Sequence, residues 1–352
     1  MRRRPGNPGR RRALCAFFIA MLPTMPFALA LVLGFGPMIG FAFFIRWLDR
    51  YEPEPRWMLA GSFLWGAVIA CGGAFVINTL LGIGLLAATG SEEAALVGTT
   101  TLVAPLVEEM LKGLAVLLVF ACFRREFDSV VDGITYAGIT ATGFAAVENS
   151  LYIYRDGYGA AGLEGLLSVA FIRIVLVGWM HPFFTAFIGI GLAIARTTRK
   201  PLHRWLAPLA GFALAIGTHA LHNGFAMLVG GIEGFALGLA IDWVGYACMT
   251  GFIGWMIWRE RDILRRQLAG ELADGRITTA HYAQAISFTQ LSVHLGAIGR
   301  GRFRAVRAFY QSLGELAHHK EHLERHGEEH GHSAEIARHR AALPELAEHA
   351  YS

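Results

Sequence analysis

Long apolar stretches, separated by short polar segments, occupy this chain between Ala13 and Trp258. Each stretch is close to the roughly 20 residues that a helix needs to cross the hydrocarbon core of a bilayer. The pattern therefore predicts eight membrane-spanning helices. Their approximate limits are Ala13–Ala30, Phe35–Leu48, Trp57–Leu80, Thr99–Phe123, Val130–Tyr154, Leu166–Ala195, Leu206–Val229 and Phe235–Trp258.

The first apolar stretch has two interpretations. Residues 13–48 form either one broken helix or a tight pair of helices that turns between Gly34 and Pro37, and the length of the stretch favours the pair. The basic start, the apolar run and the small residues at 28–30 also resemble a signal peptide. Cleavage there would leave the orientation of the later spans unchanged.

Composition supports the membrane interpretation. Of 352 residues, 54% are hydrophobic and 16% are charged, which is too apolar for an ordinary soluble protein. The predicted fold class is all-α: a polytopic transmembrane helical bundle of about eight spans with a C-terminal cytoplasmic helical tail. Three regions follow, namely a basic cytoplasmic N-terminus (1–12), a polytopic membrane domain (13–258) and a cytoplasmic, helical, His-rich C-terminal region (259–352).

Basic residues indicate the orientation of the spans. Arginines crowd residues 2–12 and recur, with one lysine, in the loops after the second, fourth, sixth and eighth spans, while the other loops hold few basic residues. Cytoplasmic loops are the ones enriched in Lys and Arg. We therefore expect a multi-pass protein of the bacterial inner membrane with both termini in the cytoplasm.

The C-terminal region carries histidines one helical turn apart, at His318, His322, His326 and His330. Such a row either binds a metal ion or forms a solvated helical face, and the Glu and Arg residues between the histidines favour the solvated face. Apolar residues at helical spacing predict a helix over about Phe303 to His326.

Ionisable residues inside the spans are the main functional signal, because each costs about 2.5–3.5 kcal/mol to insert. Glu108, Glu109 and Lys112 lie in the middle of the fourth span. Lys112 follows the two glutamates by four and three residues, so on a helix its ammonium reaches either carboxylate. It neutralises one of them and leaves the other as a candidate general base.

The next three spans carry further polar groups. Glu148 and Asn149 lie in the fifth span, His181 in the sixth, and His219 and Asn223 on one face of the seventh. Counted at about 1.5 Å per residue, the carboxylates and imidazoles fall between the bilayer midplane and its outer third. They predict one polar cavity, where they either activate a water or hold a metal that does so.

These motifs resemble those of the PrsW family of intramembrane proteases. In the order of that family, the chain has Glu-Glu-x-x-Lys at 108–112, Phe-x-x-x-Glu-Asn at 144–149, His181, and His-x-x-x-Asn at 219–223. An acidic, Pro-containing stretch at 49–55 adds to the likeness, which covers about residues 35–252 and extends distantly to the CAAX-prenyl protease and Abi group. The resemblance implies hydrolysis of peptide bonds in membrane-anchored proteins, the best-known type being a single-span anti-sigma factor.

Carried over by motif, the resemblance implies specific roles. The catalytic candidates are Glu108, Glu109, Glu148, His181 and His219, with Lys112, Asn149 and Asn223 in support. One of the two adjacent glutamates would act as general base on a water, and His219 or His181 would stabilise the oxyanion or protonate the leaving amine. No Ser or Cys lies beside a His in a comparable way, so a covalent intermediate is not expected.

The resemblance leaves the cofactor open, since the family has been described both as metalloproteases and as glutamic proteases. A metal-dependent enzyme would hold Zn²⁺ with Glu148, His181 and His219. The expected partners are the lipid bilayer and a membrane-anchored protein substrate, with no nucleic acid. The sequence does not specify the substrate, the cleavage position or the oligomeric state.

Two other classes of function use similar residues. A transporter or proton pathway also places Glu, Lys and His near the midplane, although the chain shows no internal repeat. A non-catalytic membrane scaffold would use the His-rich tail to sense metal or recruit partners. Proton or solute flux in proteoliposomes that disappears with Glu109→Gln would indicate the transporter or proton pathway. A scaffold would lose its function when the tail is deleted and keep it with Glu148→Gln.

Overall fold

The computed structural model describes residues 24–49, 54–229, 231–287, 293, 296–297, 299–328 and 331–351. Every regular element in these ranges is a helix, which confirms the predicted all-α class. The described residues form two compact units. The membrane unit holds residues 24–47 and 55–249, and the C-terminal unit holds residues 48–49, 54 and those from 250 onward.

Apolar helices build the membrane unit, and several of them continue into short π-helical segments. They are α1 (Thr24–Leu48), α2 (Arg56–Thr89, π-helical at Trp65–Ala70), α3 (Glu92–Gly98, π-helical Thr99–Val103 and Ala104–Cys122), α4 (Val130–Tyr152 and π-helical Ile153–Tyr158), α5 (Gly159–Phe171 and π-helical Ile172–Leu176), α6 (Met180–Thr197), α7 (Pro201–Gly224 and π-helical Phe225–Val229) and α8 (Gly231–Ala273). Among the described residues, four stretches are long and apolar enough to cross a membrane: Thr24–Leu48, Arg56–Thr89, Val130–Thr197 and Gly231–Ala273.

The predicted turn between Gly34 and Pro37 is wrong, because α1 is one continuous helix through both residues. Gly34 instead allows a close helix contact: a Cβ there would lie 2.8 Å from the carbonyl oxygen of Ala146. Proline inside a helix is better tolerated in membranes, where neighbouring groups satisfy the freed carbonyl. Residues 1–23 lie outside the described residues, so the count of eight spans stays a prediction.

The single span expected over Leu166–Ala195 is also different in the structure. It consists of two helices, α5 and α6, and between them Val177 leaves helical geometry, with φ −122° and ψ 15°. Pro182 follows in the first turn of α6, where a proline costs no intrahelical hydrogen bond. His181 therefore lies in the first turn of a helix that begins inside the bundle, rather than in the middle of a continuous span.

Helix α4 is the centre of the membrane unit. All its residues from Val131 to Ala146 are buried. Glycine lets the neighbouring backbone come close, since a Cβ at Gly189 of α6 would lie 2.0 Å from the carbonyl oxygen of Gly133. Small residues at such contacts are characteristic of helices that pack in membranes.

The outward surface of the membrane unit is apolar. Large side chains on four helices are more than half exposed, among them Val32, Val68, Leu80, Leu102 and Leu209. A soluble protein rarely exposes so much continuous apolar surface, whereas a lipid-facing surface requires it. The protein is accordingly a membrane protein.

The C-terminal unit has a core of its own. It contains the later part of α8 together with α9 (Thr279–Ala285), α10 (Phe303–His326) and α11 (His332–Tyr351). Helix α10 has the bounds that its apolar spacing predicts. The buried apolar residues of the C-terminal core include Leu268 of α8 and Phe309 and Leu313 of α10.

Candidate active site

Glu109 is the centre of a buried hydrogen-bond network on α3. Its Oε1 accepts hydrogen bonds from Lys112 Nζ (2.5 Å) and from His219 Nδ1 (3.0 Å). Its Oε2 accepts a hydrogen bond from Thr185 Oγ1 at 2.9 Å, and the residue is fully buried. Both carboxylate oxygens are therefore occupied, which fixes the orientation of Glu109 and of the groups that bind it.

Lys112 bridges the glutamate pair and His181. Its Nζ lies 2.5 Å from Glu109 Oε1, 3.2 Å from His181 Nδ1 and 3.9 Å from Glu108 Oε2. It also lies 4.5 Å from the centre of the Phe144 ring. The sequence left open which glutamate pairs with Lys112, and the structure pairs it with Glu109.

Glu108 differs from its neighbour in having an oxygen without a hydrogen-bond partner. This oxygen, Oε2, lies 3.9 Å from Lys112 Nζ and 3.9 Å from His219 Nε2. An unpartnered buried carboxylate oxygen is costly, and it indicates a catalytic role, a bound ion or a bridging water. Both separations are longer than a direct hydrogen bond, so a water or an ion would have to supply the missing partner.

Glu148 on α4 binds two partners from the next helices, as the lack of a basic neighbour on its own helix predicts. Its Oε2 accepts hydrogen bonds from Arg173 Nη2 and, at 2.7 Å, from His181 Nε2. Arg173 Nε also donates to Asn149 Oδ1 at 2.8 Å. Since Lys112 donates to Nδ1 of His181, the proton of the neutral imidazole lies on Nε2 and is shared with Glu148.

His219 on α7 completes the group of residues. Because Nδ1 donates to Glu109, the neutral ring presents the lone pair of Nε2 toward Glu108. Phe184 stacks on the His219 ring at 4.8 Å between centroids, and the His181 ring lies 5.4 Å away. The structure thus brings together Glu108, Glu109, Glu148, His181 and His219, which the sequence places on four separate spans.

Asn223 occupies a different position from these residues. Its Nδ2 donates to the carbonyl oxygen of Thr100 at 2.9 Å, in the π-helical segment of α3. Carbonyls in such segments need partners in a membrane. Asn223 therefore ties α7 to α3 and supports the site through the packing of these helices.

The residues present fit a metal ion with nitrogen and oxygen ligands. Glu108, His181 and His219 are buried, and one ligand atom from each lies within 4.8 Å of the others. Three protein ligands with an open position are characteristic of catalytic zinc sites. The predicted ligand set contained Glu148; in the structure Glu108 is the carboxylate grouped with the two histidines, and Glu148 is bound to Arg173 and His181.

Three polar residues were not predicted from the sequence. Arg173 lies in the middle of the apolar run at 166–195, and a basic residue there was a usable signal. Asp242, a single acid in the last predicted span, accepts a hydrogen bond from His222 Nδ1 at 2.6 Å. Only its position, four residues after His181 and so on the same helical face, could have indicated from the sequence that Thr185 belongs to the site.

Comparison with known proteins gives a consistent result. The sequence model of a family described as PrsW family intramembrane metalloprotease matches residues 54–256. Protease PrsW of Geobacillus kaustophilus is 27% identical over 190 residues, which cover 54% of this chain and 76% of that protein. Protease PrsW of Oceanobacillus iheyensis is 26% identical over 206 residues, 58% of this chain and 84% of that protein.

A third relative is more similar over a shorter length. Protease PrsW of Clostridioides difficile is 32% identical over 153 residues, 44% of this chain and 60% of that protein. No solved structure matches the chain. The matched residues of the family model contain every residue of the buried network described above.

Proposed function

Because this chain belongs to the PrsW family of intramembrane metalloproteases, it is an intramembrane endopeptidase, and we propose that Glu108 activates the water that cleaves its substrates. The observation that carries this proposal is the buried Glu108 Oε2, which has no hydrogen-bond partner and faces His219 Nε2 at 3.9 Å. A water at this position contacts a carboxylate and an imidazole at once. The adjacent Glu109 is unsuited to the same role, since its oxygens are occupied.

The reaction follows from these positions. Glu108 takes a proton from the water, whose oxygen attacks the peptide carbonyl carbon to give a tetrahedral oxyanion. Lys112 uses two of its N–H groups on Glu109 and His181, and the third stabilises the oxyanion. As the carbon–nitrogen bond breaks, Glu108 returns the proton to the leaving amine.

The other members of the network orient these groups. Glu109 holds His219, and Glu148 holds His181, each through one ring nitrogen. Carboxylates that bind imidazoles in this way fix the tautomer and the direction of the ring. Arg173 in turn holds Glu148.

A metal-dependent form of the reaction would use Glu108, His181 and His219 as ligands. Bound there, Zn²⁺ would supply Lewis-acid polarisation of the carbonyl and a water that ionises near neutral pH. Exhaustive chelation decides between the two forms. Activity that is lost and then restored by Zn²⁺ identifies the metalloenzyme, and full activity after chelation identifies the metal-free reaction.

The substrate is a protein in the membrane, and we propose that it is a single-span anchored protein, with a regulatory protein such as an anti-sigma factor as the leading type. The polar site lies inside an otherwise apolar bundle, so the scissile bond must enter the membrane unit. We also propose the bacterial inner membrane as the location, with residues 13–258 as the protease domain and residues 259–352 in the cytoplasm, from the distribution of basic loops.

The test is proteomic profiling of protein termini in membranes that contain the wild type or Glu108→Gln at equal abundance. New termini near predicted spans, present with the wild type and absent with Glu108→Gln, are the expected result. Glu164→Gln is the matched control, because Glu164 is an exposed glutamate outside the network. Identical termini in wild type and Glu108→Gln would overturn the proposed role of Glu108.

A further inference from the structure

A second group of metal-binding side chains lies between α10 and α11 of the C-terminal unit. It contains His319 from α10 and His332, Glu335 and His339 from α11. The three α11 residues are spaced at i, i+3 and i+7, so they share one helical face. The predicted histidine row is a different set, and of its members His330 and the His326 side chain lie outside what the structure describes.

The ligand atoms of this group are close enough to share one ion. One ligand atom from each of His319, Glu335 and His339 lies within 4.8 Å of the others. The Nδ1 atoms of His319 and His332 are 3.0 Å apart. Nitrogens bound to the same zinc at about 2.0–2.1 Å are separated by a similar distance, so His332 lies beside His319 as a second imidazole ligand would.

The His339 ring is oriented like a metal ligand. Its Nδ1 is hydrogen bonded to Ser312 Oγ at 2.9 Å, while its buried Nε2 makes no hydrogen bond. Glu315 Oε2 is 3.4 Å from Nε2. Metal-binding histidines commonly donate their other ring nitrogen to such a partner, which directs the free lone pair.

The histidine rings of the group are crowded together. The His319 ring centroid lies 5.2 Å from that of His332 and 5.7 Å from that of His339. Glu335 supplies a carboxylate, although Arg338 lies 2.5 Å from it. A divalent ion would relieve the crowding of ring nitrogens that now face one another.

We propose that His319, His332, Glu335 and His339 form a binding site for a divalent transition metal of the zinc class, independent of the protease site. Three imidazoles and one carboxylate match the nitrogen and oxygen ligands that Zn²⁺ takes in tetrahedral sites. The ion would join α10 to α11. Nothing in the proposed proteolytic reaction uses these residues.

The test measures zinc in the full-length protein in detergent, after chelation and re-equilibration with Zn²⁺. All samples carry His219→Ala, which weakens any metal site at Glu108 and His181. We expect this protein to keep about one zinc per chain and to lose it when His339→Ala is added. His349→Ala is the matched control, because His349 is an exposed histidine of the same helix, and it should retain the zinc.

A second measurement covers the case in which His339→Ala disturbs folding. Glu335→Gln keeps the shape of the side chain, and metal-free samples should show the same helix content as the parent. In these samples Co²⁺ should give the intense visible bands of a four-coordinate ion with the parent and weak bands with Glu335→Gln. Equal zinc content in the parent and the His339→Ala protein, or equal Co²⁺ bands with and without Glu335, would overturn the proposal.

Discussion

The membrane unit and the C-terminal unit use the same charged residue types in opposite places. In the membrane unit, large apolar side chains face outward and the ionisable groups of several helices meet in the interior. Beyond Trp258, Tyr351 is the large apolar side chain that stays exposed among the residues the structure describes, and most charges lie at the surface. The difference follows the solvent, since lipid accepts apolar groups and water accepts charges.

The cost of a buried charge explains how each unit arranges its carboxylates. In the membrane unit water cannot replace a lost partner, so Glu109 and Glu148 are both bound on several sides. In the C-terminal unit Glu271 is also fully buried, but its partners Arg276 and Arg340 extend toward solvent. The first arrangement keeps a reactive group in place, and the second stabilises a helical fold.

The largest expected effect separates the two adjacent glutamates. Glu109→Gln and Glu108→Gln should each lower proteolysis by about 10²- to 10⁴-fold. Glu109→Gln loses the orientation of the groups that Glu109 binds, and Glu108→Gln loses the general base. Their stabilities should differ. Glu109→Gln leaves Lys112 without its close counter-charge and should cost about 3 kcal/mol, whereas Glu108→Gln removes no hydrogen bond and should cost less than about 1 kcal/mol.

Thermal unfolding of both purified variants beside a cleavage assay on one substrate tests this contrast. Equal losses of stability would show that Glu108 is also part of the structural network. Unchanged activity of Glu109→Gln would show that the orientation of His219 and Lys112 does not matter for cleavage.

A smaller effect on activity is expected at Arg173. Its guanidinium donates to Glu148 through Nη2 and to Asn149 through Nε, a planar arrangement that lysine cannot reproduce. Arg173→Lys keeps the charge and should lower kcat by about 10- to 100-fold, as losses of such orienting partners do. Arg155→Lys is the control, since Arg155 is exposed. Equal kcat values for the two variants would remove Arg173 from the orienting chain.

Much of the site could be predicted from the sequence because two rules are strict in a membrane. A charged residue in hydrocarbon is too costly to occur without a reason, and helical rise fixes its depth. These rules place Glu108, Glu109, Glu148, His181 and His219 at one level. The structure brings all of them into one network.

The rest depends on tertiary packing, which residue spacing does not determine. Either glutamate could reach Lys112 along the helix, and the rotation of α3 toward α6 and α7 selects Glu109. Gly34 has the composition of a turn and serves a helix contact instead. The helix break at Val177–Trp179 could not be predicted from hydropathy, because the residues on both sides of it are apolar.

Packing in the membrane unit should be sensitive to single methyl groups. Gly189→Ala would place a Cβ 2.0 Å from the Gly133 carbonyl oxygen, so α4 and α6 must separate, at a cost of about 1–3 kcal/mol. Gly36→Ala is the matched control, because a Cβ at Gly36 meets nothing within 4 Å. There alanine should stabilise the helix by up to about 1 kcal/mol. Thermal unfolding in detergent measures both, and equal midpoints would contradict the close contact.

The smallest expected effect concerns acid stability of the C-terminal unit. Burial alone would raise the pKa of Glu271, but hydrogen bonds from Arg340, Lys320 and Arg276 outweigh burial and lower it from 4.5 to about 2. A carboxyl whose pKa is lower in the folded state stabilises the fold above its unfolded value, and this stabilisation is lost as pH falls from 4.5 toward 2.

Glu271→Gln should therefore reduce the stability of this unit at pH 7 by about 1 kcal/mol, a value kept small because the partners reach solvent. The difference from the wild type should shrink as the pH falls below 4.5. Hydrogen exchange of α10 in the full chain, corrected for intrinsic rates, measures this as about fivefold faster exchange at pH 7. Glu348→Gln, at an exposed position on α11, should follow the wild type. A Glu271→Gln protein whose exchange equals that of the wild type at every pH would show that the ion pairs of Glu271 contribute nothing to the stability of this unit.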